Sequence, residues 1–338
     1  MLTSRKHTLS AVFLLAGSIC ALSAWILGMG AVRVPPSEIL NIIAGRFGIS
    51  ANPPAETTRV IIENLRLPRI IASLLVGAAL ASSGAALQAL YRNPMADPYI
   101  IGISSSASLG AIAAFSLKLS AYWYGPAAFT LSLLTALFLY SLSRRGRGTS
   151  VTLLLLFGIG ISALYGALGS FLLYGAGEAG FSVLVWLMGY LGNIGWEQLR
   201  IMALPVLAGI GILNLLSREL NLLLTGEEEA LYLGMNVERV KKILLAVTSL
   251  ITALSVAYGG VIGFVGLVVP HCLRLLFGAN HKRLVPLASL GGALFLLLAD
   301  TAARTVMAPI ELPLGVLTSA VGAPVFLFLL LRSRRSLA

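Results

Sequence analysis

Apolar positions along this chain fall in long uninterrupted runs, separated by short polar stretches. A helix needs about 20 consecutive apolar residues to cross the ~30 Å hydrocarbon core of a bilayer. Runs near that length occupy 9–32, 68–90, 99–118, 124–142, 151–174, 198–217, 240–258, 261–277, 284–303 and 313–331. The pattern predicts an all-α, polytopic membrane protein with about ten transmembrane helices. The 261–277 run is the shortest, and Pro270 near its end predicts a kink or an incomplete crossing.

Two of the intervening segments are more than turns. Segment 33–67 holds an amphipathic stretch, Pro36–Phe47, then a Pro/Ala/Thr linker, then Thr57–Leu65. Segment 175–197 holds Phe181–Tyr190, predicted as a short apolar helix at the membrane interface, a depth that suits Trp186, Tyr190 and Trp196. At the N-terminus, Arg5, Lys6 and the ALSA at Ala21–Ala24 imitate a signal peptide. The apolar run continues through Trp25, Ile26 and Leu27, which suits a retained helix. The whole of 1–338 reads as a single transmembrane domain.

Basic residues set the expected orientation, because cytoplasmic loops carry an excess of Lys and Arg. With a cytoplasmic N-terminus and ten spans, both termini are cytoplasmic. Sixteen of the 24 basic residues then lie inside, including Arg92, Arg144, Arg145, Arg147, Lys241, Lys242 and Arg335, and eight lie outside. Topology therefore accounts for the net charge of +11, and no nucleic-acid partner is needed. Composition agrees. The 338 residues are 58% hydrophobic and 11% charged, with a mean hydropathy of +0.92. Soluble domains carry about 25% charge. The 35 glycines suit a membrane bundle, in which small residues let helices approach closely. Cys20 and Cys272 lie in apolar runs without a Cys/His cluster and are expected to be small buried hydrophobes.

Several chemistries lack their residues. There is no G-x-x-x-x-G-K-S/T to hold ATP, no H-E-x-x-H and no G-x-S-x-G. The three histidines, His7, His271 and His281, lie near span ends and predict no metal site. Asp300 and Glu311 lie near the outer ends of their helices. Proton- or sodium-coupled carriers use ionisable groups at mid-membrane, so an autonomous carrier or channel is the weaker alternative. An intramembrane enzyme lacks any paired carboxylates or nucleophile–base pair.

The largest inner loop, 218–242, carries a different message. Thr225 and Glu228 have capping-box spacing, Glu227, Glu228 and Glu229 favour a helix N-terminus, and Gly234 can end that helix. Asn236 can cap the next helix. Leu231, Tyr232 and Leu233 give the loop an apolar face that needs a partner, so it is read as a docking element for a cytoplasmic protein.

Eight stretches resemble the FecCD-type permeases of ABC importers, which include vitamin B12, haem and iron-siderophore permeases. They are Leu65–Arg69 (LRLPR), Gly77–Gln88, Arg92–Pro98 (RNPMADP), Gly102–Gly110, Gly226–Asn236 (GEEEALYLGMN), Gly260–Arg274, Leu298–Arg304 and Glu311–Phe328, in family order. The resemblance implies a type II importer permease fold and a homodimer with substrate passing along its interface. It implies two copies of a P-loop ATPase, which hold ATP–Mg, and an extracytoplasmic substrate-binding protein. No cofactor is expected in this chain, and the location implied is the inner (plasma) membrane. Position by position, Arg66, Arg69 and Arg304 match arginines that pair with acidic residues of the binding protein. Exposed Arg forks suit that task. Thr149 and Ser150 match the cytoplasmic gate, with Asn93 and Met95 as a second ring; N-capping is the competing role for the two hydroxyls. Thr225, Gly226, Glu227, Glu228, Leu231, Leu233 and Gly234 match the ATPase-docking loop. Ferric siderophore is the expected cargo, followed by haem or a corrinoid, with an oxyanion such as molybdate as an alternative.

Overall fold

All ten apolar runs become helices. A computed structural model describes residues 5–30, 32–46, 55–99, 102–145, 148–177 and 180–334. The crossing helices are α1 (Arg5–Leu27), α4 (Leu67–Leu90), α5 (Ile103–Ser116), α6 (Tyr124–Leu142), α7 (Val151–Ala176), α9 (Trp196–Leu215), α12 (Val237–Gly259), α13 (Val265–Phe277), α14 (His281–Thr305) and α15 (Leu314–Arg334). Between them lie α2 (Pro36–Arg46), α3 (Glu56–Val60), α8 (Gly180–Leu187), α10 (Ser217–Thr225) and α11 (Glu227–Tyr232). A two-residue antiparallel pair, β1 (Arg144–Arg145) with β2 (Gly148–Thr149), leads into α7. Seven of the ten are long and apolar enough to cross a membrane alone; α5, α13 and the apolar part of α15 are shorter. Arg147, Arg335 and the linker 47–54 lie outside the described residues.

The bundle has an inner and an outer set. In α4 and α12, 78% of the apolar window is buried inside the chain, and in α14 61%, whereas α1 reaches 6% and α7 only 11%. The inner helices meet at glycines. A Cβ on Gly77 would lie 2.2 Å from the Gly292 carbonyl oxygen of α14, and one on Gly84 would lie 1.8 Å from that of Gly266 on α13. Backbones this close exclude any side chain and replace side-chain contacts with tight van der Waals packing.

Short helices create a second problem. At 1.5 Å rise per residue, the 13 residues of α13 span ~20 Å, well under the hydrocarbon thickness. Non-helical chain at 260–264 leads into it, and backbone polar groups at membrane depth need partners inside the protein. Several of them find such partners. The Val261 N–H donates to the Leu187 carbonyl (3.1 Å). The Tyr99 hydroxyl donates to the Ile262 carbonyl (3.1 Å) and accepts from the Ile262 N–H (3.2 Å). Nearby, the Tyr190 N–H donates to Gly259 O (3.0 Å), Leu314 N–H to Gly189 O (2.9 Å) and Gly315 N–H to Met188 O (2.8 Å). The ends of α8, α12 and α15 are thereby sewn into one seam. Gly189 (φ +90°) and Gly260 (φ +70°) supply its left-handed turns.

Three expectations change. Thr57–Leu65 is not a separate piece: α3, a π-helical segment (Ile61–Arg66) and α4 form one helix over Glu56–Leu90. The Leu67 N–H reaches back five residues to Ile62 O, and this wider turn accommodates Pro68, which has no N–H to give. The 175–197 segment does not merely lie at an interface, since Val183 and Leu191 are fully buried and its backbone joins the seam. Cys20 is exposed on α1 and Cys272 half-buried, so neither is a core residue.

Gly84→Ala is expected to force α4 and α13 apart, at or beyond the ~1–3 kcal/mol usual for overpacking. Gly17→Ala in α1, where a Cβ meets nothing within 4 Å, should not destabilise and can gain up to ~1 kcal/mol of helix propensity. Thermal unfolding of both variants in detergent checks this.

Candidate functional site

Two clusters of charged side chains join separate elements, one around Arg69 at the start of α4 and one around Lys241 at the start of α12. At one end, the LRLPR arginines point inward. Arg69 on α4 sits between two acids: its Nε donates to Asp300 Oδ1 (3.0 Å), its Nη2 pairs with the same oxygen (2.9 Å), and its Nη1 donates to Glu311 Oε2 (2.9 Å). Its guanidinium also stacks over Tyr190, 5.4 Å from the ring centre. Arg304, one turn beyond Asp300 on α14, pairs with Asp300 Oδ2 (3.2 Å). Arg66 donates to the Leu27 carbonyl (2.6 Å) and to the Val32 carbonyl. Gly30 leaves room for it, since a Cβ there would lie 2.8 Å from Nη2.

Exposed arginine forks were expected here, and all three arginines are buried instead. The reason is local. Asp300 and Glu311 come from the same chain and face α4, so two cations meet two anions without a partner protein. Only Glu311 of the four reaches the surface, its side chain being 33% exposed. Asp300 was read as an acid near a helix end, and its bridging of two arginines needed the α4–α14 contact to be visible.

At the other end, β2, α11 and the start of α12 converge on Lys241. Thr149 donates twice to Glu238, from its N–H to Oε1 and from its hydroxyl to Oε2, both at 2.9 Å. Lys241 Nζ donates to Thr149 O (3.1 Å), Glu227 Oε2 (2.5 Å) and Glu238 Oε1 (3.4 Å). Ser150 caps α7, accepting from the Leu153 N–H at 3.3 Å. The two adjacent hydroxyls thus divide the roles: Ser150 caps its own helix, and Thr149 ties that helix to α12. Glu238 and Lys241 carried no signal in the sequence beyond a charge at the start of a span.

Asn93 and Met95 are not joined to Thr149 or Ser150 by any hydrogen bond among the described residues. The Asn93 side chain instead accepts from the Met95 N–H (2.9 Å), fixing its own turn. That turn leads to Pro98, whose ring fills the space a Cβ on Gly266 would need (2.6 Å), and to Tyr99 in the seam. The RNPMADP and GFVG stretches are therefore in contact. Burial pushes the Asp97 carboxyl up to about 6, against the N–H it accepts from Tyr99 at 2.8 Å.

The 218–242 loop, expected to be a docking element, is a helix, glycine, helix, glycine chain. Gly226 (φ +125°) separates α10 from α11, and Gly234 (φ +80°) separates α11 from α12. Asn236 caps α12 as expected, accepting from the Arg239 N–H. The capping box does not form. Thr225 is the last residue of α10 and donates to its own helix at Leu222 O (2.8 Å), so Gly226 becomes the N-cap of α11, and Glu228 has no threonine to pair with. Leu231, Tyr232 and Leu233 are exposed, Tyr232 at 91%. Beside them, Glu227, Leu231, Gly234 and Met235 help line a groove of about 590 Å³.

The profile of the FecCD transport family matches residues 14–332. The chain belongs to the FecCD transport family. Among FecCD relatives, the chain is 46% identical over 278 residues to the haemin transport system permease protein HmuU of Yersinia pestis, covering 80% of this chain and 83% of that one. It is 44% identical over 276 residues to the cobalamin import system permease protein BtuC of Halobacterium salinarum, covering 81% and 74%. A metal-chelate type ABC transporter solved in an inward-facing conformation superposes with a TM-score of 0.84 at 33% identity, over 95% of this chain and 98% of that chain. This FecCD chain is thus a multi-pass membrane protein with the ABC permease fold.

Two outcomes follow from the ends. Asp300→Ala leaves two buried guanidinium groups short of a counter-ion and should cost about 3–5 kcal/mol in unfolding measurements. Asp97→Asn should stabilise the chain above pH 6, where the wild-type carboxylate is charged and buried. The gain should shrink as pH falls below 6, where the folded carboxyl takes up its proton, and vanish only below the ordinary carboxylate value of 3.8, where folded and unfolded forms are both protonated. Melting curves across that window read the difference.

Proposed function

We propose that two copies of this chain form the membrane path of an ABC importer that brings a metal chelate into the cytoplasm by alternating access. A separate pair of P-loop ATPases hydrolyses ATP, and an extracytoplasmic binding protein delivers the cargo. The observation that carries the reading is the docking element. Three large apolar side chains, Leu231, Tyr232 and Leu233, stand in solvent on a helix fixed between two glycine turns. Such a patch fits insertion into a groove of a cytoplasmic partner. On this reading the Lys241 end and both termini face the cytoplasm, and the Arg69 end faces the binding protein through Glu311.

The second copy is supported by α7. Its face with Ile159, Leu164, Phe171 and Tyr174 is exposed, and Gly160, Gly166 and Gly175 have nothing within 4 Å. Small residues at open positions suit close approach of another helix. Thr149 and Ser150 stand where this helix begins, as a gate must. For the cargo, the relatives are named for haemin and cobalamin, both metal-bound macrocycles, so these come ahead of ferric siderophore.

The test is co-purification followed by transport. The chain should bring down a P-loop ATPase, and the complex in proteoliposomes should take up haemin, cyanocobalamin or a ferric siderophore only with ATP. Uptake driven by an ion gradient without ATP, or a lone oligomer, would replace this reading with an autonomous carrier.

A further inference from the structure

Lys241 is an ammonium 2% exposed at the head of a membrane helix, in a position where an alkyl side chain would cost less. Its three N–H donors have three acceptors, one from each of three elements: Glu227 opens α11, Glu238 belongs to α12, and the Thr149 carbonyl ends β2 just before α7. The acceptors differ in exposure. Glu227 is 41% exposed and can be solvated if it lets go, and Glu238 is 29% exposed. The Thr149 carbonyl has no such freedom, because Thr149 is itself 5% exposed and bound twice to Glu238.

We propose that Lys241 is a positioning residue that transmits movement of α11 to Thr149 and so to the start of α7. The inference rests on the importer reading, in which α11 meets the ATPase and Thr149 belongs to the gate. An ammonium held by three acceptors cannot lose one without strengthening its hold on the others or drawing in water. When a partner displaces α11, either Thr149 follows Lys241 or Glu227 releases it. While Glu227 holds the ammonium, the position of α7 depends on the state of α11, and release by Glu227 uncouples the two. Glu227 and the Thr149 carbonyl are bound by the same ammonium.

Lys241→Met tests it. The variant keeps both Thr149–Glu238 bonds, and the two glutamates it leaves are partly solvated, so the chain should fold. The complex with its ATPase is placed in lipid nanodiscs, with Cys20 and Cys272 changed to serine and a spin label at Thr152→Cys in each copy. ATP with vanadate should shift the label-to-label distance in the parent complex. In Lys241→Met, the ATPase should stay bound and hydrolyse ATP, the shift should disappear, and cargo moved per ATP should fall about tenfold. Lys241→Arg should restore part of the shift, because a guanidinium can reach the same acceptors. An unchanged distance shift and unchanged cargo per ATP in Lys241→Met overturn the coupling role and leave the importer reading standing. Loss of ATPase binding in that variant also overturns it, assigning Lys241 to the docking surface alone. Failure of the parent complex to bind an ATPase overturns the importer reading, and the coupling role with it.

Discussion

A backbone that leaves helical geometry inside hydrocarbon must find its own hydrogen-bond partners, and the shape of this protein follows from where it does so. Helices α5 and α13 are too short to cross alone. Irregular segments adjoin them, and those segments pair with one another. The Tyr99 hydroxyl serves both the N–H and the carbonyl of Ile262, and the chain after α8 serves the ends of α12 and α15. Each unsatisfied group in lipid would cost several kcal/mol. Segments far apart in sequence are therefore held together as firmly as neighbours in a sheet.

Charge is handled in the same economical way. Each end of the bundle has a buried cation held between two acids of the same chain: Arg69 between Asp300 and Glu311, and Lys241 between Glu227 and Glu238. Each cluster reaches the surface through a carboxylate, Glu311 at one end and Glu227, with Glu238 beside it, at the other. Buried ion pairs of this kind contribute little net stability, because desolvation offsets the attraction. What they supply is a fixed relation between elements, together with an exposed member that a partner can compete for.

The sequence made the crossing helices legible because about 20 apolar residues in a row have few other fates in water or lipid. It made Gly234 and Asn236 legible because turn and cap chemistry is local. The failures are all non-local or one residue out of phase. Thr225 looked like an N-cap, yet α10 extends far enough to include it, and its hydroxyl turns back to Leu222. Arg69 looked exposed because its counter-ion Asp300 lies more than 230 residues away, and Arg66 because its partners are backbone carbonyls; Arg304 pairs within its own helix, and its burial comes from the packing of α14. Lys241 was counted as a loop charge that sets orientation. Its burial depends on β2 and α11 closing over it, which no window of sequence around position 241 contains.

The glycine contacts between inner helices bear on motion. Where Gly77 meets Gly292 and Gly84 meets Gly266, carbonyl oxygens press on Cα atoms with no side chain between them. Side chains can change rotamer and let two helices slide, but bare backbones interlocked this way have nothing to rearrange. Helices α4, α13 and α14 therefore act as a chassis. Any opening or closing of a path would fall to the loosely held helices around it, α1 and α7 among them, pivoting on a frame that does not itself deform.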